Sequence, residues 1–262
     1  MDLSLKGKNA LVCGSTQGIG WATAVELAKM GANVILIARN ENKLKECLGN
    51  LPTPAEQTHS YLAADFEKTD EVKNEAQLLI DKGIDIHILI NNTGGPSGGN
   101  IIEESTEKFL AVFNQHLIIN HLLAQLFFPG MKKTNFGRIV NIISVSVKQP
   151  LVGLGVSNTI RWSVASWAKT LSKEIAKHGI TVNNVLPGYT LTGRLDQVLD
   201  QKAKQTTQQR TEIEKAILEN IPTGRFATPE EVAAAAAFLC SPIAGSINGI
   251  NLPVDGGLSM SL

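Results

Sequence analysis

The chain has 262 residues, 43% of them hydrophobic and 18% charged, which is enough apolar material for one α/β domain with a sizeable core. Acidic and basic residues number 24 each, so the charge balance favours neither nucleic acid nor an anionic membrane surface as a partner. The first residues lack the layout of a signal peptide, and the longest apolar runs are too short to span a bilayer. The scattered Cys13, Cys47 and Cys240 lack metal-ligand spacing and are typical of a reducing compartment. We therefore predict a cytoplasmic protein with no bound metal and no membrane or nucleic-acid partner.

Short β-branched runs alternate with amphipathic helical patterns along the chain. The predicted strands are residues 10–13, 33–38, 59–63, 87–91, 138–142, 181–186 and 249–254. Several are apolar nearly throughout, as expected of strands that helices cover on both faces. The sequence therefore predicts one domain over residues 1–262, a Rossmann-type doubly wound parallel sheet of about seven strands flanked by helices.

One segment departs from this alternation. Residues 195–220 are polar and rich in Gln, Lys and Glu, and they lie between the sixth predicted strand and the final helix–strand unit. A helical substrate flap inserted over the mouth of the sheet, spanning residues 193–222 with its flanks, would have this composition. A solvated connecting helix is the alternative.

A glycine-rich turn joins the first predicted strand to the first helix. Its residues are Gly14, Ser15, Thr16, Gln17, Gly18, Ile19 and Gly20. Glycines in this place let the backbone approach a pyrophosphate at the helix N-terminus. Arg39 follows the second strand, and no acidic residue stands there to bind a ribose 2′-hydroxyl. Because an arginine can pair with a 2′-phosphate, the sequence favours NADP(H) over NAD(H).

Further blocks follow in a fixed order along the chain. They are residues 64–65, 91–94, 137–144, 178–183, 187–192 and 253–257. With the glycine-rich turn, they make the chain resemble the short-chain dehydrogenases/reductases along essentially its whole length, and within them the 3-oxoacyl-acyl-carrier-protein reductase-like group. The resemblance implies further cofactor contacts: Asp65 at the adenine, Asn91 and Gly94 along the adenosine, and Pro187, Gly188 and Thr192 at the nicotinamide end. Taken singly, each of these residues could instead cap a helix or form a turn.

Relatives in that family use an Asn–Ser–Tyr–Lys tetrad, and the resemblance implies where its members fall here. Ser144 matches the substrate-binding serine at the end of the fifth strand motif. The tyrosine and lysine positions are held by Ser157 and Arg161. The asparagine position falls on His116, with Asn114 two residues away. Three of the four positions therefore differ, which indicates an atypical branch.

These replacements change the acid–base chemistry. A tyrosine protonates the carbonyl oxygen as hydride arrives, and a neighbouring ammonium lowers its pKa from about 10. A serine hydroxyl is a far poorer acid, and an arginine does not release its proton. Arg161 could still hydrogen-bond the nicotinamide ribose and stabilise a developing oxyanion. Cofactor binding can therefore survive the replacement, whereas the usual proton relay cannot.

Few side chains could replace the missing acid. His116 titrates near neutrality, although a buried histidine bonded to backbone is the alternative. Tyr189, in the loop at the nicotinamide end, could point at substrate or pack. Tyr61 lies in the third strand, where packing is expected, and Lys148 is either a solvated loop residue or a charge for an acidic substrate group.

Two functions of different classes fit the sequence. The first is an NADP-dependent oxidoreductase acting on a small carbonyl or alcohol, in which Ser144 and Arg161 polarise the oxygen and His116 or water moves the proton. The second is a non-catalytic NADP-binding regulatory or scaffold protein. The sequence favours the enzyme. The resemblance also implies a homo-oligomer, dimer or tetramer, formed through the fourth and fifth helices, and residues 117–128 give the fourth helix apolar surface on more than one side.

Overall fold

The computed structural model describes residues 2–206 and 208–261, apart from the side chain of Gln205. The strands are β1 (Asn9–Cys13), β2 (Asn33–Ala38), β3 (Ser60–Ala63), β4 (Ile88–Asn91), β5 (Gly137–Ile142), β6 (Ile180–Pro187) and β7 (Asn251–Val254). Within the described ranges these seven strands form one parallel sheet in the order β3-β2-β1-β4-β5-β6-β7. The predicted doubly wound sheet is confirmed, and the strand order reverses between β1 and β4.

Helices cover both faces of the sheet. They are α1 (Gly18–Lys29), α2 (Glu41–Asn50), α3 (Thr69–Asp81), α4 (Thr106–Phe113), α5 (Ile119–Thr134), α6 (Gly155–Ile175), α7 (Gly193–Thr206), α8 (Arg210–Glu219) and α9 (Pro229–Cys240). Successive strand side chains point to opposite faces, so Ala10 and Val12 pack with α1 and α9, while Leu11 and Cys13 pack in the cluster that contains α3 and α5 residues. This double burial explains why the strand sequences are almost uninterruptedly apolar.

The predicted strand boundaries lie within two residues of the observed ones. The last strand begins at Asn251 rather than at residue 249, because Gly249 adopts a positive φ of 71° and still belongs to the turn before the strand. Gly249 nevertheless donates its N–H to the carbonyl of Val182, at 2.9 Å, which guides the chain toward the sheet.

A row of asparagine side chains crosses four neighbouring strands. Asn91, Asn141, Asn184 and Asn251 are register partners in β4, β5, β6 and β7. Each amide donates to the next, from Asn91 to Asn141 at 2.8 Å, from Asn141 to Asn184 at 2.8 Å, and from Asn184 to Asn251 at 2.7 Å. A buried amide without a partner costs about 1–3 kcal/mol, so this row fixes the relative placement of the four strands.

Helices α7 and α8 form a hairpin with an apolar cluster of its own. Leu195, Leu199, Ile213 and Ile217 are buried against one another, which a solvated connecting helix would not require. The hairpin contacts the loop after β4, where the Gln201 amide exchanges hydrogen bonds with the backbone of Gly98 at 2.8 and 3.1 Å. Thr207, inside the predicted flap of residues 193–222, lies outside the described residues. Among the described helices, none is long and apolar enough to cross a membrane.

Candidate active site

The candidate site lies at the carboxyl edge of the sheet, where the strand order reverses between β1 and β4. In open parallel sheets this reversal opens a crevice that binds ligands. The glycine-rich turn follows β1, residues 92–99 follow β4, Ser144 follows β5, and Gly188 follows β6. The predicted cofactor and catalytic residues therefore meet at one edge, although they are far apart in the sequence.

The glycine-rich turn is shaped for close backbone approach. Gly14 and Gly18 have positive φ values of 59° and 56°. Asn92 braces the turn from the neighbouring strand end, because its amide donates to the carbonyls of Cys13 and Gly14, each at 3.2 Å. A Cβ on Gly20 would lie 2.6 Å from this amide, so a side chain cannot be accommodated there. No side chain caps the N-terminus of α1, which leaves its amides available to an anion.

The rest of the turn lies where the sequence predicts it. Ser15 is fully buried, and Thr16 and Gln17 lead into Ile19 in the first turn of α1. Thr192 packs on the turn from the opposite side, since a Cβ on Gly18 would lie 3.1 Å from its methyl group. The start of the α7–α8 hairpin therefore closes over the glycine-rich turn.

The predicted adenosine residues have individual environments. Arg39 is exposed at the end of β2, beside the N-terminus of α2. Asp65 accepts a hydrogen bond from the N–H of Glu67 at 3.1 Å, within the turn between β3 and α3. It does not cap α3, whose N-cap residue is Lys68. Gly94 lies in the loop after β4. The Asn91 side chain belongs to the buried asparagine row, so its amide does not line the crevice and only its backbone could contact a nucleotide.

At the predicted nicotinamide end, β6 leads into a fixed turn. Pro187 is the last residue of β6, and Gly188 donates its N–H to the carbonyl of Val254 at 3.0 Å. A Cβ on Gly188 would lie 2.8 Å from that of Asp255. Glycine is therefore required by the close approach of the two chain segments.

Ser144 and Arg161 are both fixed by hydrogen bonds near the carboxyl end of β5. The Ser144 hydroxyl accepts a hydrogen bond from the N–H of Ser146 at 3.1 Å. Arg161 points from α6 toward the same strand end and donates from Nη1 to the carbonyl of Ile142 at 2.9 Å. Its side chain is buried, and this burial lowers the pKa of Arg161 from its usual range to about 10, with a smaller effect of Arg194. Ser157 lies one helical turn before Arg161, near the start of α6.

His116 lies in a π-helical turn (Asn114–Ile118) between α4 and α5. Such turns occur frequently at functional sites, and this one turns the imidazole inward so that only 2% of the residue is exposed. Nδ1 lies 2.5 Å from the Thr93 hydroxyl, whereas Nε2 has no partner of normal hydrogen-bond geometry among the described residues. Burial, followed by the charge of Arg161, holds the pKa of His116 well below 6.5 despite an opposing effect of the Gly94 backbone. The imidazole is therefore neutral at pH 7.

A second arginine enters the site from the hairpin. Arg194, in the first turn of α7, donates from Nη2 to the carbonyl of Pro96 at 2.5 Å. Its positive charge acts on both Arg161 and His116, lowering the pKa of each. Arg194 was not among the predicted site residues. Its sequence position, directly after the 187–192 block, was the available signal.

Comparison with known proteins assigns the family. The family model described as "Enoyl-(Acyl carrier protein) reductase" matches residues 14–259. The 3-oxoacyl-(acyl-carrier-protein) reductase FabG of Haemophilus influenzae is 34% identical over 265 residues, which cover 98% of this chain and 100% of that protein. The chain belongs to the short-chain dehydrogenase/reductase family. The predicted enzyme class, a nicotinamide-dependent oxidoreductase, is thereby confirmed.

Solved structures of family members share the fold. The L-sorbose reductase of Gluconobacter frateurii, complexed with NADPH and L-sorbose, is 30% identical, with a TM-score of 0.92 and 100% of each chain covered. YwfH, an NADPH dependent reductase involved in bacilysin biosynthesis, is 28% identical, with a TM-score of 0.91 and 97% and 99% of the two chains covered. The short-chain dehydrogenase/reductase fold therefore extends over nearly the whole chain.

The other candidate proton donors of this short-chain dehydrogenase/reductase lie in different surroundings. The Tyr189 ring is 6.2 Å from that of Phe226, and its hydroxyl accepts from Lys202 at 3.4 Å, so the side chain packs at the base of the hairpin. Tyr61 donates to Glu41 at 3.1 Å on β3, at the edge of the sheet. Both environments match the packing alternative, and His116 is the titratable candidate placed beside Arg161.

Proposed function

We propose that the protein is an NADP(H)-dependent oxidoreductase that transfers hydride between the nicotinamide and a small carbonyl or alcohol substrate, at an atypical active site. Ser157 and Arg161 stand at its tyrosine and lysine positions, and His116 at its asparagine position. The observation that carries this proposal is the proximity of Arg161 and His116 at the carboxyl edge of the sheet, the edge that also carries Ser144 and the uncapped glycine-rich turn.

Arg161 and Ser144 would act on the substrate oxygen. Negative charge develops on this oxygen as hydride reaches a carbonyl carbon, and fixed donors in a dry site stabilise such charge strongly. Arg161 is held by the Ile142 carbonyl and needs little reorganisation to supply a positive charge. The Ser144 hydroxyl would orient the same oxygen. Ser157 would take part only through its hydroxyl, a weak acid that can donate a hydrogen bond.

The protonation state of His116 bears on the direction of the reaction. A neutral imidazole can accept the proton that an alcohol loses on oxidation, whereas reduction needs a donor. His116 is neutral in the ligand-free site. We therefore assign it the role of proton acceptor in alcohol oxidation, and in reduction water or a newly protonated His116 supplies the proton.

The 2′-phosphate of NADP(H) is assigned to Arg39, which is exposed at the end of β2. This strand end has no acidic residue that could bind a ribose 2′-hydroxyl instead. NADPH is present in the sorbose reductase structure and is the reductant of YwfH. Arg39→Ala should therefore weaken NADPH binding by roughly tenfold or more, the range for losing a charge-assisted contact, and leave NADH binding nearly unchanged. Fluorescence titration with both nucleotides measures this.

Two variants control for general charge effects on the nucleotide. Arg39→Lys should retain part of the preference for NADPH, because it keeps the charge without the forked donors. Lys45→Ala removes a cation that is paired with Glu41 on α2 and should leave both affinities unchanged. Equal losses for NADPH and NADH in Arg39→Ala, or tighter NADH binding by the unmodified protein, would contradict the assignment.

We also expect a homo-oligomer, a dimer or a tetramer. Leu122, Leu126 and Phe128 are only half-buried on α5, and Trp162 of α6 is 48% exposed, so the two helices present apolar surface that a second copy could cover. Static light scattering at micromolar concentration should give a multiple of the monomer mass. A monomer across that range contradicts the expectation. A cytoplasmic location stays a prediction.

The proposed function is tested by a substrate screen. Ketones, aldehydes and alcohols are incubated with NADPH or NADP⁺, and with NADH or NAD⁺, while absorbance at the nicotinamide band reports hydride transfer. A parallel titration measures nucleotide binding. Turnover with the phosphorylated pair supports the proposal. Tight NADP(H) binding without turnover of any class would instead favour the non-catalytic regulatory or scaffold function.

A further inference from the structure

Two guanidinium groups face the candidate active site without an acidic partner. Arg161 donates to the carbonyl of Ile142, and Arg194 donates to the carbonyl of Pro96 and, at 3.5 Å, to the side-chain oxygen of Gln197. Among the described residues, neither forms an ion pair with a carboxylate. Arg210, on the same hairpin as Arg194, contrasts with them because Asp196, Asp200 and Glu214 surround it.

The two guanidinium charges lack a counterion among the described residues. Arg161 is buried, Arg194 is partly buried, and the charge of Arg194 lies close enough to lower the pKa of Arg161. Burial lowers the pKa of Arg194 as well. Burying like charges without a counterion is costly, and the cost falls when an anion joins them.

His116 provides an independent indication of a missing ligand. Its Nε2 atom has no hydrogen-bond partner of normal geometry among the described residues, although the Gly94 backbone is close enough to raise the imidazole's pKa. The residue is only 2% exposed. Buried polar atoms of native proteins are nearly always paired, and an unpaired one calls for an explanation. The same imidazole experiences the fields of both arginines, so the unpaired nitrogen and the two charges share one environment.

We propose that the substrate carries an anionic group, a carboxylate or phosphate, which binds to Arg194 within the field of Arg161, while its reacting carbonyl or hydroxyl oxygen lies at Arg161 and Ser144. This inference rests on the proposed function and specifies its substrate class. The guanidinium forks suit planar carboxylate oxygens and phosphate oxygens alike. An oxo acid or hydroxy acid would satisfy both the charge and the hydride chemistry.

The cofactor is the other source of an anion at this edge. Its pyrophosphate has a separate site, the uncapped N-terminus of α1 and the glycine-rich turn. Arg161 lies on α6, and His116 lies on the π-helical turn before α5. In the sheet order, β4 stands between them and the glycine-rich turn, which follows β1. Arg194 extends toward them from α7. The placement therefore favours the substrate as the source of the anion.

An anion in this place would also change the state of His116. The two arginines are part of the reason that its imidazole is neutral, and a bound carboxylate would offset their fields. The pKa of His116 should then rise on binding. An anionic oxo acid would in this way help to protonate the group that can complete its reduction.

The test uses binding to the NADP⁺-saturated protein, so that no reduction occurs. Isothermal titration calorimetry measures 2-oxobutanoate and 3-oxobutanoate beside their uncharged primary amides, for the unmodified protein, Arg194→Met and Arg194→Lys. We expect at least one acid to bind about tenfold more tightly than its amide, and Arg194→Met to weaken it by about 10- to 100-fold without affecting the amide. Arg194→Lys should keep most of the affinity. Lys204→Met, which removes an exposed charge from the same helix, should change nothing.

Each remaining outcome overturns the inference. Equal binding of acids and amides, no detectable binding of either acid, or an equal loss of acid and amide in Arg194→Met would exclude an anion site. A loss of NADP⁺ affinity in Arg194→Met with unchanged acid affinity would assign the guanidinium to the cofactor phosphates. Thermal melting checks that the variants are folded. Because this test needs no turnover, its failure differs from failure of the proposed function, which is the absence of hydride transfer to every carbonyl and from every alcohol.

Discussion

Replacing Ser157 with tyrosine and Arg161 with lysine should raise the reduction of simple ketones by about 10²–10⁴-fold, the usual contribution of a positioned acid. The phenol would supply the proton that a serine hydroxyl cannot supply, and the lysine ammonium would lower its pKa toward the working pH. The two positions lie one turn apart on α6, so both side chains would point to the same crevice. Initial rates with NADPH and a ketone panel measure the gain.

The matched control differs by a single oxygen atom. Ser157→Phe with Arg161→Lys brings the same ring volume and the same ammonium but no acidic hydroxyl, so its rate should stay at the level of the unmodified protein. Overpacking at residue 157 could cost about 1–3 kcal/mol of stability, which thermal melting detects. A folded tyrosine–lysine variant no faster than its phenylalanine counterpart would contradict the assignment of these two positions.

The layout of the fold could be predicted because it depends on local patterns. Strands buried on both faces must be apolar along their length, and the glycine-rich turn marks the first strand–helix junction. In contrast, the row from Asn91 to Asn251 could not be predicted, since it depends on the register of four strands. The sequence offered Asn91 as an adenosine contact, and the pairing across the sheet gives its amide a different partner.

The candidate site was predicted unevenly for a similar reason. Ser144, Arg161 and His116 could be placed by motif spacing, and the structure brings them to one strand edge. Arg194 was missed although it directly follows the 187–192 block, because its contact with the Pro96 carbonyl joins residues almost a hundred positions apart in sequence. His116 was also expected to titrate near neutrality, but its surroundings in the structure lower its pKa. Burial, which the sequence left open as an alternative, lowers its pKa together with the charges of Arg161 and Arg194. The sequence placed Arg161 in the same site but did not include Arg194.

Replacing His116 with alanine should lower the turnover of an alcohol by about 10²–10⁴-fold if the imidazole accepts the proton. Because the pKa of His116 lies well below 6.5 in the ligand-free site, nearly all of the imidazole is already in the required neutral form above pH 6.5. Its contribution to kcat/KM for alcohol oxidation, which reports the ligand-free enzyme, should therefore be independent of pH from 6.5 to 8. Reduction that uses the protonated form should instead slow as pH rises through the same range. Initial rates in both directions across this range measure the two slopes.

Stability at low pH provides a second readout that does not require turnover. The unfolded histidine has a pKa near 6.5 and the folded one a lower pKa, so between these values the unfolded state binds more protons and stability falls as pH falls. Each pH unit in this window costs about 1.4 kcal/mol for a full proton. Urea unfolding at pH 7.5 and pH 5.5 should show a smaller loss for His116→Ala than for the unmodified protein, whereas the exposed His121→Ala should behave like the latter. A folded His116→Ala variant with unchanged turnover and an unchanged pH profile would remove His116 from the reaction and leave water or a substrate group to carry the proton.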